Sequence, residues 1–104
     1  MKSYNETALV KDCLSYLQAI GVWAWRNNTG AIKTQDRFIR FGNVGSPDIF
    51  GILEWGRLLC VECKIKPNKL SKHQELWLES AKMRGALTVV AYSLDDLEAL
   101  NLQR

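Results

Sequence analysis

Apolar residues recur along this chain with two periods. Leu9, Val10, Cys13, Leu14, Leu17 and Ile20 fall at the three- and four-residue spacing of one helix face. Ser3-Tyr4-Asn5-Glu6 reads as a capping box that opens this helix, and Gly21 ends it. The period then shortens. Val22-Trp23-Ala24-Trp25-Arg26 predicts a short aromatic strand that stops at the turn formers Asn27-Asn28-Thr29-Gly30. Trp23 and Trp25 share one face of it. They are expected in the core rather than as a platform for stacked bases, because a buried strand here must be apolar.

Residues 31–41 are strand-like but polar, with Phe38, Ile39 and Phe41 beside Lys33, Arg37 and Arg40. They read as an edge hairpin or a mobile loop near the substrate, and Gly42 and Gly45 would let the backbone pass close to a ligand. Two apolar runs follow, Ile49-Phe50-Gly51-Ile52-Leu53 and Leu58-Leu59-Cys60-Val61, joined by Glu54-Trp55-Gly56-Arg57 as a central hairpin. After a linker at Lys66-Pro67-Asn68-Lys69, Ser71 and Gln74 form a second capping box. The helix it opens runs through Leu76, Trp77, Leu78, Ala81 and Met83 and closes at Gly85. Residues 87–92 predict a final buried strand, and a short amphipathic helix runs from Ser93 or Leu94 to Leu102. This order fits an α/β fold, a mixed sheet flanked by helices, in one domain spanning 1–104.

Residues directly opposite on paired strands share a face, so the hairpin's register decides which of its charged ends meet. A two-residue Trp55-Gly56 loop opposes Asp48 to Cys63. A three-residue loop, with Gly56 in the left-handed position of a G1 bulge, opposes Asp48 to Glu62 and puts Lys64 on the same face. The second register is expected, because glycine suits the third loop position and the first leaves Glu62 among apolar neighbours with no partner.

Composition narrows the function classes. Three cysteines and one histidine leave no disulfide framework, no zinc cluster and no Ser/His/Asp triad. Cys60 and Cys63 are three apart on a strand and point to opposite faces. A phosphate-binding Gly-rich loop is missing, and no organic cofactor is expected. No apolar run approaches bilayer length, and the amino terminus turns polar where a signal peptide becomes apolar, so a soluble cytoplasmic protein is expected, with no membrane partner. The formal charge of +3 is the difference of 14 basic and 11 acidic residues placed unevenly. Lys33, Arg37 and Arg40 precede the hairpin's charged end, and Lys64, Lys66, Lys69 and Lys72 follow it. A basic surface there suits a polyanion, although solvated lysines alone account for the same pattern.

Two carboxylates at cross-strand distance repel unless a cation sits between them, and all-oxygen ligation suits Mg²⁺ or Mn²⁺. A lysine two residues along can hold an attacking water or the charge developing on a phosphate. Asp48, Glu62 and Lys64 are therefore the parts of a metal-dependent phosphodiesterase. The plainer reading is a structural Asp at a turn beside a surface Glu-x-Lys.

Glu6, Arg26-Asn27-Asn28-Thr29-Gly30, Gly45-Ser46-Pro47-Asp48, Glu62-Cys63-Lys64 and Gln74 together resemble the virus-type replication-repair nuclease (VRR-NUC) domain of the PD-(D/E)xK superfamily. The resemblance implies a restriction-endonuclease-like core, with Asp48 and Glu62 as ligands of Mg²⁺ or Mn²⁺ and Lys64 as catalytic lysine. Glu6 and Gln74 become supporting site residues, although each also has a structural explanation as a capping residue. Arg26, Asn28, Lys33, Arg37, Arg40, Lys66, Lys69 and Lys72 are the expected nucleic-acid contacts. The expected function is a metal-dependent DNA endonuclease acting on branched DNA such as four-way junctions. A non-catalytic nucleic-acid-binding module on the same fold is the alternative, and a regulatory protein without nucleic acid leaves the charge placement unexplained. One site breaks one phosphodiester, so paired cuts on opposed strands call for a symmetric homodimer. Leu94, Leu97, Leu100 and Leu102 offer an apolar contact for it, with ordinary core packing as the competing role.

Overall fold

The computed structural model describes residues 3–28, 30–33, 35–41 and 43–102, and only the backbone of 30–33 and 39–41. The elements are α1 (Glu6–Ala19), β1 (Trp23–Arg26), β2 (Gly30–Lys33), β3 (Phe38–Phe41), β4 (Ile49–Ile52), β5 (Leu58–Cys63), α2 (Lys72–Met83), β6 (Leu87–Ala91) and α3 (Leu94–Glu98). The main sheet has the order β1-β4-β5-β6. β1, β4 and β5 pair antiparallel, and β6 returns parallel to β5 through the α2 crossover. It is the mixed α/β sheet flanked by helices that the hydropathy pattern predicts. No helix among the described residues is long and apolar enough to cross a membrane.

Alternation along β5 sends its side chains into two cores. Leu59, Val61 and Cys63 meet Leu9, Val10, Cys13 and Leu17 of α1 and Leu97 of α3, all buried. Cys60 faces the other way, onto Leu78 of α2, with Phe50, Leu58, Trp77 and Val90 packed around it. The two cysteines are thus divided between faces, as the strand period requires.

The central hairpin has the expected parity. Ile49 pairs with Val61 and Ile52 with Leu58, and one step beyond the ladder Asp48 stands opposite Glu62. The Leu53 N–H donates to Arg57 O at 2.8 Å, enclosing Glu54-Trp55-Gly56. Gly56 is left-handed at φ +76°, and so is Trp55 at +65°, where the simple bulge needs only the glycine.

Four local expectations are corrected and one open alternative is decided. The cap of α1 is Asn5, whose side chain accepts from the Ala8 N–H, so Glu6 is the first helical residue and not a reciprocal cap. Trp23 and Trp25 are exposed, because β1 is an edge strand and α2 covers the sheet beside it. Of the two readings of residues 31–41 the hairpin is the one observed, with β2 and β3 paired antiparallel in a two-stranded sheet of their own. β6 is the opposite edge, half-buried except for Ala91. The last helix stops at Glu98, with Leu97 fully buried and Leu94, Leu100 and Leu102 packed on the core, so the terminal leucines fill the fold.

Candidate active site

Asp48 is fixed by the end of the β4 and β5 ladder. Hydrogen-bonded pairs alternate with open ones along an antiparallel pair, and counting by twos from Leu53–Arg57 makes Asp48–Glu62 an open pair, in which side chains stand closest. The same count assigns the Cys63 N–H to residue 47. Pro47 O instead accepts from Asn27 Nδ2 at 2.9 Å, and the Asp48 carboxylate takes the Cys63 N–H at 2.8 Å. On the other side the Asn27 N–H donates to Asp48 O at 2.8 Å. Asp48 is therefore held by β1 through its backbone and by β5 through its side chain.

The loop delivering Asp48 is clamped from two directions. Asn27 Nδ2 also donates to Ser46 Oγ at 2.7 Å, and Ser46 Oγ donates to Asn43 O at 2.6 Å. Trp77 of α2 donates its indole N–H to Asn43 Oδ1 at 2.9 Å. Gly45, at φ +84°, lies so close to the first turn of α2 that a Cβ there would sit 2.5 Å from His73 O. Its close approach is to a helix backbone; Gly42 lies outside the described residues.

Glu62 is buried at 3% exposure, with Lys64 Nζ 3.6 Å from its Oε2. Gln74 Nε2 donates to the same oxygen at 3.0 Å, while Gln74 Oε1 accepts from the Ser71 N–H at 2.9 Å. Gln74 thus serves cap and site at once. Burial first, and then the Asp48 charge, push the Glu62 pKa up to about 8 against the opposing pull of Lys64. Asp48 is also raised, chiefly by burial, and its bond from the Cys63 N–H and the Lys64 charge work against that. Glu6 adds negative charge to both. Its Oε2 accepts from Asn68 Nδ2 at 3.1 Å and from the Ile65 N–H at 3.4 Å, tying α1 to the segment leaving β5.

Among solved structures, a "VRR_NUC domain" superposes on this chain with a TM-score of 0.67 and 25% sequence identity, over 92% of both chains. The chain has the fold of a VRR-NUC domain. No family model and no curated protein matches the sequence itself. The VRR-NUC likeness agrees with the restriction-endonuclease-like core expected from the sequence.

On this VRR-NUC fold, Asp48, Glu62, Lys64 and Gln74 come together on one sheet face, and Glu6 approaches from the α1 side. The basic residues are more scattered. Arg26 is exposed at the end of β1, near enough for its charge to act on Asp48. Asn28, Arg37, Lys66, Lys69 and Lys72 are exposed; Lys66 Nζ lies 5.9 Å from the Tyr92 ring centre and Lys72 pairs with Glu75 at 3.9 Å. The side chains of Lys33 and Arg40 lie outside the described residues. Sequence reading missed Asn27 and Asn43 as clamps, because a turn-forming Asn gives no sign of a partner far along the chain.

The donor chemistry fits a hard cation. Asp48 and Glu62 offer only oxygen, and burial raises the pKa of both, that of Glu62 further through the Asp48 charge, against the pull of Lys64. No group of three or more His, Cys, Asp or Glu among the described residues could hold a metal ion. Mg²⁺ needs only one or two protein carboxylates and completes its shell with water and phosphate, a requirement that the Asp48–Glu62 pair could meet.

Proposed function

We propose that this chain is a divalent-metal-dependent endonuclease that hydrolyses DNA phosphodiester bonds. The observation that carries the reading is the Asp48–Glu62 pair, open, cross-strand and partly stripped of water, with the Lys64 ammonium beside it. Asp48 and Glu62 would hold Mg²⁺ or Mn²⁺, which supplies Lewis acidity to a phosphate and lowers the pKa of a water. Gln74 and the Cys63 N–H fix the two carboxylates before substrate arrives. Such preorganisation spares the reaction the cost of orienting them. Lys64, half-buried on the same face, steadies the attacking water and the charge that grows on the phosphate. Glu6 anchors the strand exit that carries Lys64.

The finer reading is a symmetric homodimer that nicks branched DNA, each protomer cutting one strand. One such site per chain cuts one phosphodiester, and a four-way junction's approximate two-fold symmetry matches a two-fold pair. Incubation with plasmid, linear, flapped and four-way DNA, in Mg²⁺, Mn²⁺ or EDTA, tests both levels together with light scattering at micromolar concentration. Cleavage in either metal, abolished by EDTA and fastest on the junction, is expected from a dimer. DNA binding without cleavage in any metal would assign the fold to a non-catalytic binding module.

A further inference from the structure

The edge strand β1 carries two indoles that the fold leaves open, Trp23 at 75% exposure and Trp25 at 41%. Both lie on the sheet face of Asp48 and Glu62, since Trp25 opposes Phe50, two residues along from Asp48. The rings form a series. Trp23 meets Trp25 edge-on at 6.3 Å, Trp25 meets Phe50 at 6.2 Å, and Phe50 meets Trp77 of α2 at 5.7 Å. Alternate residues on a strand stand about 7 Å apart, which puts Trp25 about 7 Å and Trp23 about 13 Å from Asn27, the backbone partner of Asp48.

Where the aromatic series ends the surface turns basic. Arg57 and Arg84 line a cleft of about 510 Å³ that Trp77 and Leu58 also border. Leu58 pairs with Ile52, and Ile52 with Trp23, so a single strand, about 10 Å across the sheet in all, separates the cleft's Leu58 from Trp23. Arg57 Nε donates to Gly85 O at 2.8 Å and Arg84 Nη1 to Ser80 O at 2.9 Å, holding both guanidinium groups in place.

We propose that this face is a stacking shelf for unpaired bases of a DNA strand led to the Asp48–Glu62 pair, with Arg57 and Arg84 meeting its phosphates beyond Trp23. The proposal rests on the nuclease reading and deepens it, because it names unpaired nucleotides beside the cut as the feature recognised. Indole faces accept any base, and a flanking positive charge suits a backbone rather than an apolar partner. A second copy docked on the same face across a two-fold axis would bring like guanidinium groups toward one another.

Binding is measured in EDTA, without cleavage, by anisotropy of a labelled oligothymidine and of a blunt duplex of equal length, with melting curves alongside. Trp23→Ala is expected to weaken oligothymidine binding about fivefold to a hundredfold and leave duplex binding within about twofold, while Trp23→Phe keeps most of the affinity. Arg57→Ala and Arg84→Ala are expected to flatten the salt dependence of oligothymidine binding. In the wild-type protein oligothymidine should quench tryptophan fluorescence, and less so in Trp23→Phe. Unchanged single-strand binding in Trp23→Ala, equal losses on duplex, or no quenching in the wild type would overturn the shelf. So would a dimer that Trp23→Ala splits into monomers, which assigns the face to a second copy. Shelf binding without any metal-dependent cleavage sinks the nuclease reading alone, and cleavage with single-strand binding indifferent to Trp23 sinks the shelf alone.

Discussion

Glu62 concentrates the tension in this site. Its carboxyl is buried, faces Asp48 and holds its proton to about pH 8, whereas in the unfolded chain it ionises near the ordinary value of 4.5. Between those values the unfolded state binds fewer protons than the folded one, so stability falls as pH rises through that window. Its contribution is complete below about pH 4.5 and lost above about pH 8. Glu62→Gln keeps an oxygen acceptor for Gln74 and removes the charge. In metal-free buffer at pH 8 it is expected to raise stability by at least ~1 kcal/mol, or about 4–8 °C in Tm, and the gain should vanish toward pH 4.5. Mg²⁺ should raise the Tm of the wild type and not that of Glu62→Gln. Thermal melts over pH and metal check this, and a gain that persists at pH 4.5 would contradict it. Lys64→Ala is expected to lower single-turnover cleavage about 10²- to 10³-fold with DNA affinity nearly unchanged, as befits a group acting on developing charge. Equal losses in both would make Lys64 an ordinary phosphate contact. The residues of this cluster were legible because Gly56 declares the loop length and thereby the parity. Glu6 was harder to read. Ser3 and Asn5 are both good caps, and local sequence does not say which one starts the helix.

At the scale of elements, the site depends on how the 43–48 loop and the start of α2 fit together. Gly45→Ala would drive a Cβ into His73 O and force a left-handed alanine. A loss of roughly 1–3 kcal/mol is expected, with cleavage falling further because Asp48 moves with the loop. Guanidinium unfolding and a cleavage rate check this, and full stability with full activity would contradict it. Gln74→Ala removes the donor to Glu62 and half of the capping box, and a 10- to 100-fold loss of activity or metal affinity is expected, of the order seen for groups that orient metal ligands. Element types and order were readable from periodicity. What periodicity does not carry is cover. The alternation in β1 assigns Trp23 and Trp25 a common face, but only the strand order reveals that the face lies at an edge beyond the reach of α2. The same gap explains β6, read as buried and found at the other edge.

For the whole molecule, the terminal leucines belong to the core, so a homodimer needs another surface. The fold itself was accessible because its charged motifs and its hydropathy order point to the same architecture, which the VRR_NUC domain likeness supports over 92% of both chains. The central claim is that the Asp48–Glu62 pair is a catalytic centre and not a strained structural detail. Single-turnover cleavage and DNA binding of Asp48→Asn, measured beside the wild type in Mg²⁺, test it most directly. Asn keeps an oxygen to accept the Cys63 N–H, so the fold is spared an unpaired buried donor. The expected result is a cooperatively folded protein with native DNA affinity, a Tm that no longer rises with Mg²⁺, and cleavage reduced at least about 100-fold, the upper range for loss of a merely supporting group. A folded Asp48→Asn protein that cleaves at the wild-type rate would contradict the account.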